Sequence, residues 1–302
     1  MTSVRAGRRT IEVSRPDKVL FPDGRYAKRD VVEYYRAIAR FMVPHTKDRP
    51  MTLERFPDGI EAGRFYSKDI PDYFPEWIAR RKLRKEGGSV SHVVCNDAAT
   101  LVYLANQAAL TLHVGLSRVD RIDHPDQVIF DLDPSQDDFT AVRTAAFRTK
   151  DLLEEIGLVP FVKTSGSKGL HVVAPLDRSC GFDEVRPFAR DAARLLAARY
   201  PDSLTIEHRK EKRRGRILVD WMRNAYGQTA VAPFSLRARP RAPVAMPISW
   251  SEVEDASLRP DRYTIENALE HAEGSNAWKG WRRRARSAAR ARRALDELIS
   301  EA

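Results

Sequence analysis

Two aspartates separated by one residue close an apolar run, Val128-Ile129-Phe130-Asp131-Leu132-Asp133-Pro134. Alternate side chains of a strand share a face, so both carboxylates would point the same way. Magnesium and manganese take oxygen ligands, and two-metal phosphoryl transfer needs carboxylates that clamp ions about 4 Å apart. Paired aspartates also begin turns and cap helices, so the pair alone leaves both readings open. A second apolar run, Ile217-Leu218-Val219-Asp220-Trp221, delivers a third carboxylate that would complete such a site.

Between the two runs lies Lys163-Thr164-Ser165-Gly166-Ser167-Lys168-Gly169-Leu170-His171, a small-residue turn joining two strand-like stretches. Its amides would face a phosphate, Lys168 would add a point charge, and Ser165 and Ser167 would add hydroxyls. It is not a Walker loop, because the required glycine spacing and the following helix are both absent. A plain hairpin, with His171 as a satisfied core histidine, is the alternative. Further on, Ser235, Arg237 and Arg239 in Pro233-Phe234-Ser235-Leu236-Arg237-Ala238-Arg239 put two arginines on one predicted strand face, suited to a triphosphate or simply solvated.

These residues need elements to hold them. Val31, Tyr34, Tyr35, Ile38 and Met42 recur at helical spacing within 29–42, which Pro44 helps to end. Residues 91–96 predict a short strand, and the alanine-rich stretch 98–112 predicts a buried helix. Strand, helix and strand then follow at 127–132, 138–156 and 159–162, with a partner strand at 170–174. A helix over 184–200 and a strand over 216–221 complete a mixed sheet. The proline-bearing stretch 237–247 predicts an extended surface connection, followed by short helices at 249–255 and 264–273 and a basic helix from Trp278.

The 302 residues carry a net charge of +10, which favours a polyanionic partner. Six cations crowd residues 209–216, and eight run from Lys279 to Arg293 without an intervening acid. No run approaches the roughly 20 apolar residues of a membrane span, and no apolar leader follows the basic opening, so a cytoplasmic protein without membrane contact is expected. Cys95 and Cys180 lack partner cysteines nearby, and reduced structural thiols are expected.

In order and spacing, Asp-Leu-Asp-Pro, Thr-Ser-Gly-Ser-Lys-Gly-Leu-His, Val-Asp-Trp and Ala-Pro-Phe-Ser-Leu-Arg-Ala-Arg closely resemble the polymerase domain of bacterial ATP-dependent ligase D, of the archaeo-eukaryotic primase type. The resemblance runs from about Ser14 to Ile265. It implies an α+β fold with a primase-like core of mixed and antiparallel sheets flanked by helices. The expected organisation is a catalytic domain over 1–275, made of two closely packed α/β subdomains, and a basic helix over 276–302. It also implies that Asp131, Asp133 and Asp220 hold two manganese or magnesium ions, and that Ser165, Lys168, His171, His113, Arg237, Arg239 and Arg55 contact the nucleotide. By the same resemblance, Lys18 and Lys28 bind a DNA 5′-phosphate, Phe65 and Tyr66 stack on template bases, and Lys210 and Arg213 belong to a loop that orders the metal site. Core packing is the alternative for either ring.

The implied activity is template-directed nucleotide transfer, from ribonucleotides in preference to deoxynucleotides, at short gaps or broken ends in DNA repair. A DNA ligase and an end-bridging protein acting in trans are implied partners, and a nucleoid association follows. Two departures accompany the resemblance. Phe234 stands where family members commonly have Tyr, and the arginine-rich tail lies outside the match. The length suggests a stand-alone relative, and the tail is open as a DNA grip, a partner site or an ordered helix. The alternatives are a DNA end-bridging protein without turnover and an aspartate-nucleophile phosphatase. The latter normally opens its catalytic core with Asp-x-Asp, whereas here a long motif-bearing region precedes it.

Overall fold

The computed structural model describes residues 2–301. Along the chain, β1 (Thr2–Ala6), β2 (Arg9–Val13), β3 (Val19–Phe21) and β4 (Tyr26–Ala27) lead into α1 (Lys28–Thr46). Next come β5 (Met51–Arg55), β6 (Phe65–Ser67), β7 (Arg80–Lys85), β8 (Gly88–Val93), α2 (Ala98–Asn106) and β9 (Ala109–Gly115). The central run is β10 (Gln127–Asp133), α3 (Phe139–Glu155), β11 (Phe161–Thr164), β12 (Leu170–Pro175), α4 (Phe182–Arg199), β13 (Leu204–Thr205) and β14 (Ile217–Asp220). Then follow β15 (Thr229–Val231), β16 (Pro247–Ile248), α5 (Trp250–Glu254), α6 (Ala268–Gly274) and α7 (Ala288–Ser300).

The chain divides into two compact units. Unit 1 takes the chain up to Asp120, Thr229–Met246 and Arg262–Ser275, and unit 2 takes Arg121–Gln228, Pro247–Asp261 and the chain from Asn276. Unit 1 is built on a four-stranded sheet ordered β15-β9-β5-β6, all antiparallel. Its helix α1 forms because Val31, Tyr35, Ile38 and Met42 recur every three to four residues, and all four are fully buried. The Asp30 carboxylate accepts from the Ala27 amide at 2.7 Å and so closes the first turn.

Unit 2 is built on a six-stranded sheet ordered β13-β14-β10-β12-β11-β16. Every pairing is antiparallel except β13 with β14, so the sheet is mixed, as expected. Helices α3 and α4 pack on it. Phe130 and Leu132 are fully buried on one side of β10, while Asp131 and Asp133 alternate to the other.

Several expected elements differ. The helix expected over 98–112 ends at Asn106, where Ala108 takes a positive φ of 55°, and residues 109–115 become β9. An apolar run does not distinguish helix from buried strand, and pairing with β5 and β15 decides for strand. The stretch 237–247 is not extended, and it is superficial only as far as Arg241. It bends at Arg241 and Ala242, both at positive φ, so that Leu236 bridges Val244, and it buries Val244, Ala245 and Met246 completely. Helix α1 passes Pro44, which sits in its last turn. The first strand of the 165–169 hairpin lies two residues later than expected, at 161–164. The last two helices also start late: α6 because Thr264 is held in a bridge to Pro243, and α7 because Ser287 caps it by accepting from the Arg290 amide. Cys95 and Cys180 are buried free thiols. Among the described residues no helix is long and apolar enough to cross a membrane.

Candidate active site

Cross-strand register places the chemistry of unit 2. Lys163 on β11 stands opposite His171 on β12, His171 opposite Asp131 on β10, and Asp131 opposite Asp220 on β14. Directly opposed residues of antiparallel strands share a face, so lysine, histidine and two aspartates form one row across four adjacent strands. His171 Nε2 lies 3.4 Å from Asp131 Oδ1. Burial pushes the Asp131 carboxyl up, but His171, Lys163 and Arg223 outweigh it and hold it down at about 2. Asp220 moves the other way: burial and then the Asp131 charge raise it, against the Met222 amide that donates to it at 2.8 Å. Two neighbouring carboxylates with opposed shifts mark a place where negative charge is concentrated and only partly neutralised.

Asp133, two residues further along the same face, is engaged by Arg213. Its Oδ2 accepts from Arg213 Nη1 at 2.8 Å, while the rest of that guanidinium donates to the carbonyls of Glu207 and His208 at 3.0 and 2.9 Å. The basic segment 209–216 is therefore partly turned inward at Arg213, which is buried, whereas Lys210 opens the short 3₁₀ turn Lys210–Lys212 and stays exposed.

Asp131, Asp133 and Asp220 offer hard oxygen donors of the kind divalent magnesium or manganese takes, and the burial and neighbouring Asp131 charge that raise the Asp220 carboxyl are costs that a bound cation would offset. The donor chemistry fits the ions that the resemblance implies. Among the described residues no three acids, histidines or cysteines yet converge closely enough to hold one. Arg213 neutralises Asp133 in this arrangement.

The hairpin loop between β11 and β12 is tighter than a phosphate cradle. Ser165 N donates to Gly169 O at 3.0 Å, and the amides of Ser167 and Gly169 both donate to Ser165 Oγ at 3.2 and 3.0 Å. Those two amides, expected to face a phosphate, instead close the turn. A side chain at Gly169 would collide with the Leu132 carbonyl, so glycine is required for β12 to start beside the end of β10. Lys168, at the tip, is exposed.

In unit 1, His113, Arg237 and Arg239 line a polar cavity of about 580 Å³ together with Glu54, Arg64 and Tyr66. The two arginines sit at a bend rather than on a strand, because the chain turns at Pro240 and Arg241. Glu54, only 4 % exposed, accepts from Arg64 Nη1 at 2.7 Å and from Tyr66 Oη at 3.2 Å, and its other oxygen lies 3.9 Å from His113 Nε2. Burial pushes the Glu54 carboxyl up, yet His113, Arg64 and Arg237 together hold it below its ordinary value.

Lys18 and Lys28 line a separate recess of about 350 Å³ with Ser14, Arg15, Arg55 and Gln107. Burial, then Lys18, then Arg15 lower the Lys28 ammonium from its ordinary range, and Lys28 Nζ reaches Ser14 Oγ at 3.3 Å. Lys18 pairs with Asp58 at 2.5 Å. Arg55 belongs with this recess rather than with the cavity of His113. Its guanidinium donates to the Gln107 carbonyl at 3.0 Å and to Tyr73 Oη at 2.9 Å. Phe65 and Tyr66 are both exposed, but strand alternation sends them to opposite faces: Phe65 lies under the Arg55 guanidinium and Tyr66 beside His113.

Four residues of these surroundings had no assigned role in the sequence. Lys163 was visible in principle, since a five-residue loop over 165–169 forces it opposite His171. Arg223 and Asn224 follow Asp220 directly. Asn224 is fully buried and its amide pairs with both backbone groups of Ile129, accepting from N at 2.9 Å and donating to O at 2.7 Å. Glu54 sits in a run whose arginine is the more conspicuous residue.

The α+β architecture is of the primase-polymerase class. The solved polymerase domain of Mycobacterium tuberculosis ligase D, in complex with DNA, matches with a TM-score of 0.86 at 31% identity, over 91% of this chain and 99% of that one. The family model described as LigD, primase-polymerase domain, matches residues 27–278, and the chain belongs to that family. The multifunctional non-homologous end joining DNA repair protein LigD of M. tuberculosis is 34% identical over 265 residues, 84% of this chain and 35% of that protein. The bifunctional LigD of Bacillus subtilis is 32% identical over 256 residues, 84% of this chain and 41% of that protein. The chain thus spans well under half the length of these relatives.

Proposed function

We propose that this chain is a metal-dependent, template-directed nucleotidyltransferase that fills short gaps or extends broken ends in DNA end joining. The observation that carries the reading is the cross-strand row of Lys163, His171, Asp131 and Asp220, with Asp133 on the same face. A solvated sheet face has no reason to concentrate carboxylates at adjacent positions, since like charges directly opposite destabilise a sheet.

Asp131 and Asp220 would hold manganese or magnesium, with Asp133 joining once Arg213 releases it. Two such ions, when bound, supply Lewis-acid activation of a primer hydroxyl and charge neutralisation at the triphosphate. The chain's own residues do the rest by positioning. His171, with Lys163 and Arg223, keeps Asp131 ionised against the cost of burial. Lys168 presents a cation at the tip of a hairpin made rigid by Ser165. In unit 1, Arg237 and Arg239 offer cationic contacts and His113 an imidazole contact for a nucleotide, and Lys18 and Lys28, with Arg55 beside them, offer a recess for a terminal 5′-phosphate. Ribonucleotide preference and partnership with a ligase and an end-bridging protein follow from the family reading.

Incorporation on a short gap bearing a 5′-phosphate, with manganese and either ribo- or deoxynucleotides, tests this directly. The intact chain should extend the primer, and Asp131→Ala with Asp133→Ala should abolish extension while DNA binding persists. Tight DNA binding without extension by the intact chain would overturn the reading in favour of an end-bridging protein.

A further inference from the structure

The segment after the family match carries charge that helix stability does not explain. From Trp278 to Leu295 there is no acid, and α7 has none in its first turn, while Asp296 and Glu297 lie in its second half. The positive end of a helix dipole favours acids at its N-terminus, so basic residues there and acids beyond run against it. One of these arginines, Arg292, visibly serves the fold. Arg292 reaches Asp191 on α4 at 2.7 Å and also pairs with Asp296, and this pairing docks α7 with the fully buried Leu295. Arg283, Arg284, Arg290 and Arg293 are exposed and make no ion pair among the described residues.

Those cations are mounted rigidly within unit 2. Trp278 Nε1 donates to the Val162 carbonyl of β11 at 2.8 Å, and Trp278 and Trp281 pack on Phe161 at 5.8 and 6.2 Å. Arg286 N donates to Pro175 O at 3.1 Å, and its carbonyl accepts from Asp177 N at 3.0 Å, so the segment is stitched to the end of β12. Among the described residues the surface lacks what a protein interface needs at its centre, an apolar or aromatic patch. The exposed large apolar side chain here is Ile299, at the far end of α7. Exposed arginines on an anchored backbone, with no acid between them in the sequence, match a repeating phosphate backbone.

We propose that Arg283, Arg284, Arg290 and Arg293 form a sequence-independent grip on the phosphates of duplex DNA, separate from the acid-bearing row. The proposal deepens the polymerase reading, and it is tested by binding alone so that the two can fail separately. Affinity of the full chain for a gapped duplex with long flanking arms is measured across a series of salt concentrations, for the parent and for the variant with all four arginines changed to Gln. The variant should bind about tenfold or more weakly at modest salt, and the slope of log affinity against log salt should shrink by about 0.9 for each phosphate that is no longer neutralised. Lysine at the four positions should restore both. Extension at saturating DNA should be unchanged in the Gln variant, since none of these residues belongs to the row. Affinity and slope equal to the parent's would overturn the grip. A parent that binds DNA with the expected salt response but never extends a primer would overturn the polymerase reading and leave the grip standing.

Discussion

At the scale of single residues, the cavity of unit 1 depends on one buried carboxylate. Glu54 is ionised against the cost of burial because His113, Arg64 and Arg237 surround it. A carboxyl held low in the folded state contributes stability that is complete above its ordinary value of 4.5 and is lost as pH falls below it. Glu54→Gln keeps the shape and removes the charge, so its deficit relative to the parent should be largest at neutral pH and shrink as pH drops below 4.5. Urea unfolding at neutral and acidic pH measures this, and a deficit that does not change with pH would refute the charge-based account. Glu54 shows why parts of the site escaped the sequence. Asp131 and Asp133 announce themselves by spacing along one strand, whereas Glu54 acquires meaning through Arg64 just before β6 and His113 on β9, and local spacing carries no trace of either.

At the scale of elements, the exposed problem is the edge of β10 beyond β14. The pairing of these strands covers only Asp131 to Asp133, so the backbone of Ile129 would lack partners on that side. The Asn224 side chain supplies both, acting as a one-residue substitute for a strand. Asn224→Ala should cost on the order of 1–3 kcal/mol for each buried group left unsatisfied. Denaturant titration should show that loss, and Asn224→Ala matching the parent in stability would remove Asn224 from this role. Strand and helix types in unit 2 were legible because a continuous apolar run ending in Asp-x-Asp, at 127–133, and a long periodic run, at 139–155, had room to declare themselves. The sheet of unit 1 was not, because β9 is as apolar as the helix preceding it and β5 and β6 are short. The bend at 240–242 is hidden for a related reason: prolines suggest extension, while the turn is made by Arg241 and Ala242 in the left-handed region.

At the scale of the whole molecule, the segment after the family match is part of unit 2's core as well as a charged surface. Leu295 has no exposure, and Ala291 and Ala288 are buried one and two turns before it on the same face of α7. Leu295→Ala should lower stability by about 2–5 kcal/mol, as for other buried leucines. A thermal melt indistinguishable from the parent's would show instead that α7 rests on the surface without supporting the fold. The general α+β class, the mixed sheet around Asp131 and the family were all within reach of the sequence, because ordered motifs constrain topology more strongly than any local propensity does.

The interleaving of the two units has a consequence in time. A chain emerging from the ribosome presents the whole acidic row once Asp220 is made, yet β16, which covers the outer edge of β11, arrives only at Pro247, and the tryptophans that cover Phe161 arrive at Trp278 and Trp281. During that interval the nascent sheet holds its chemistry with an open edge and an uncovered ring. Synthesis arrested before residue 247 would therefore leave the edge of β11 and the Phe161 ring open, the kind of surface that favours mispairing.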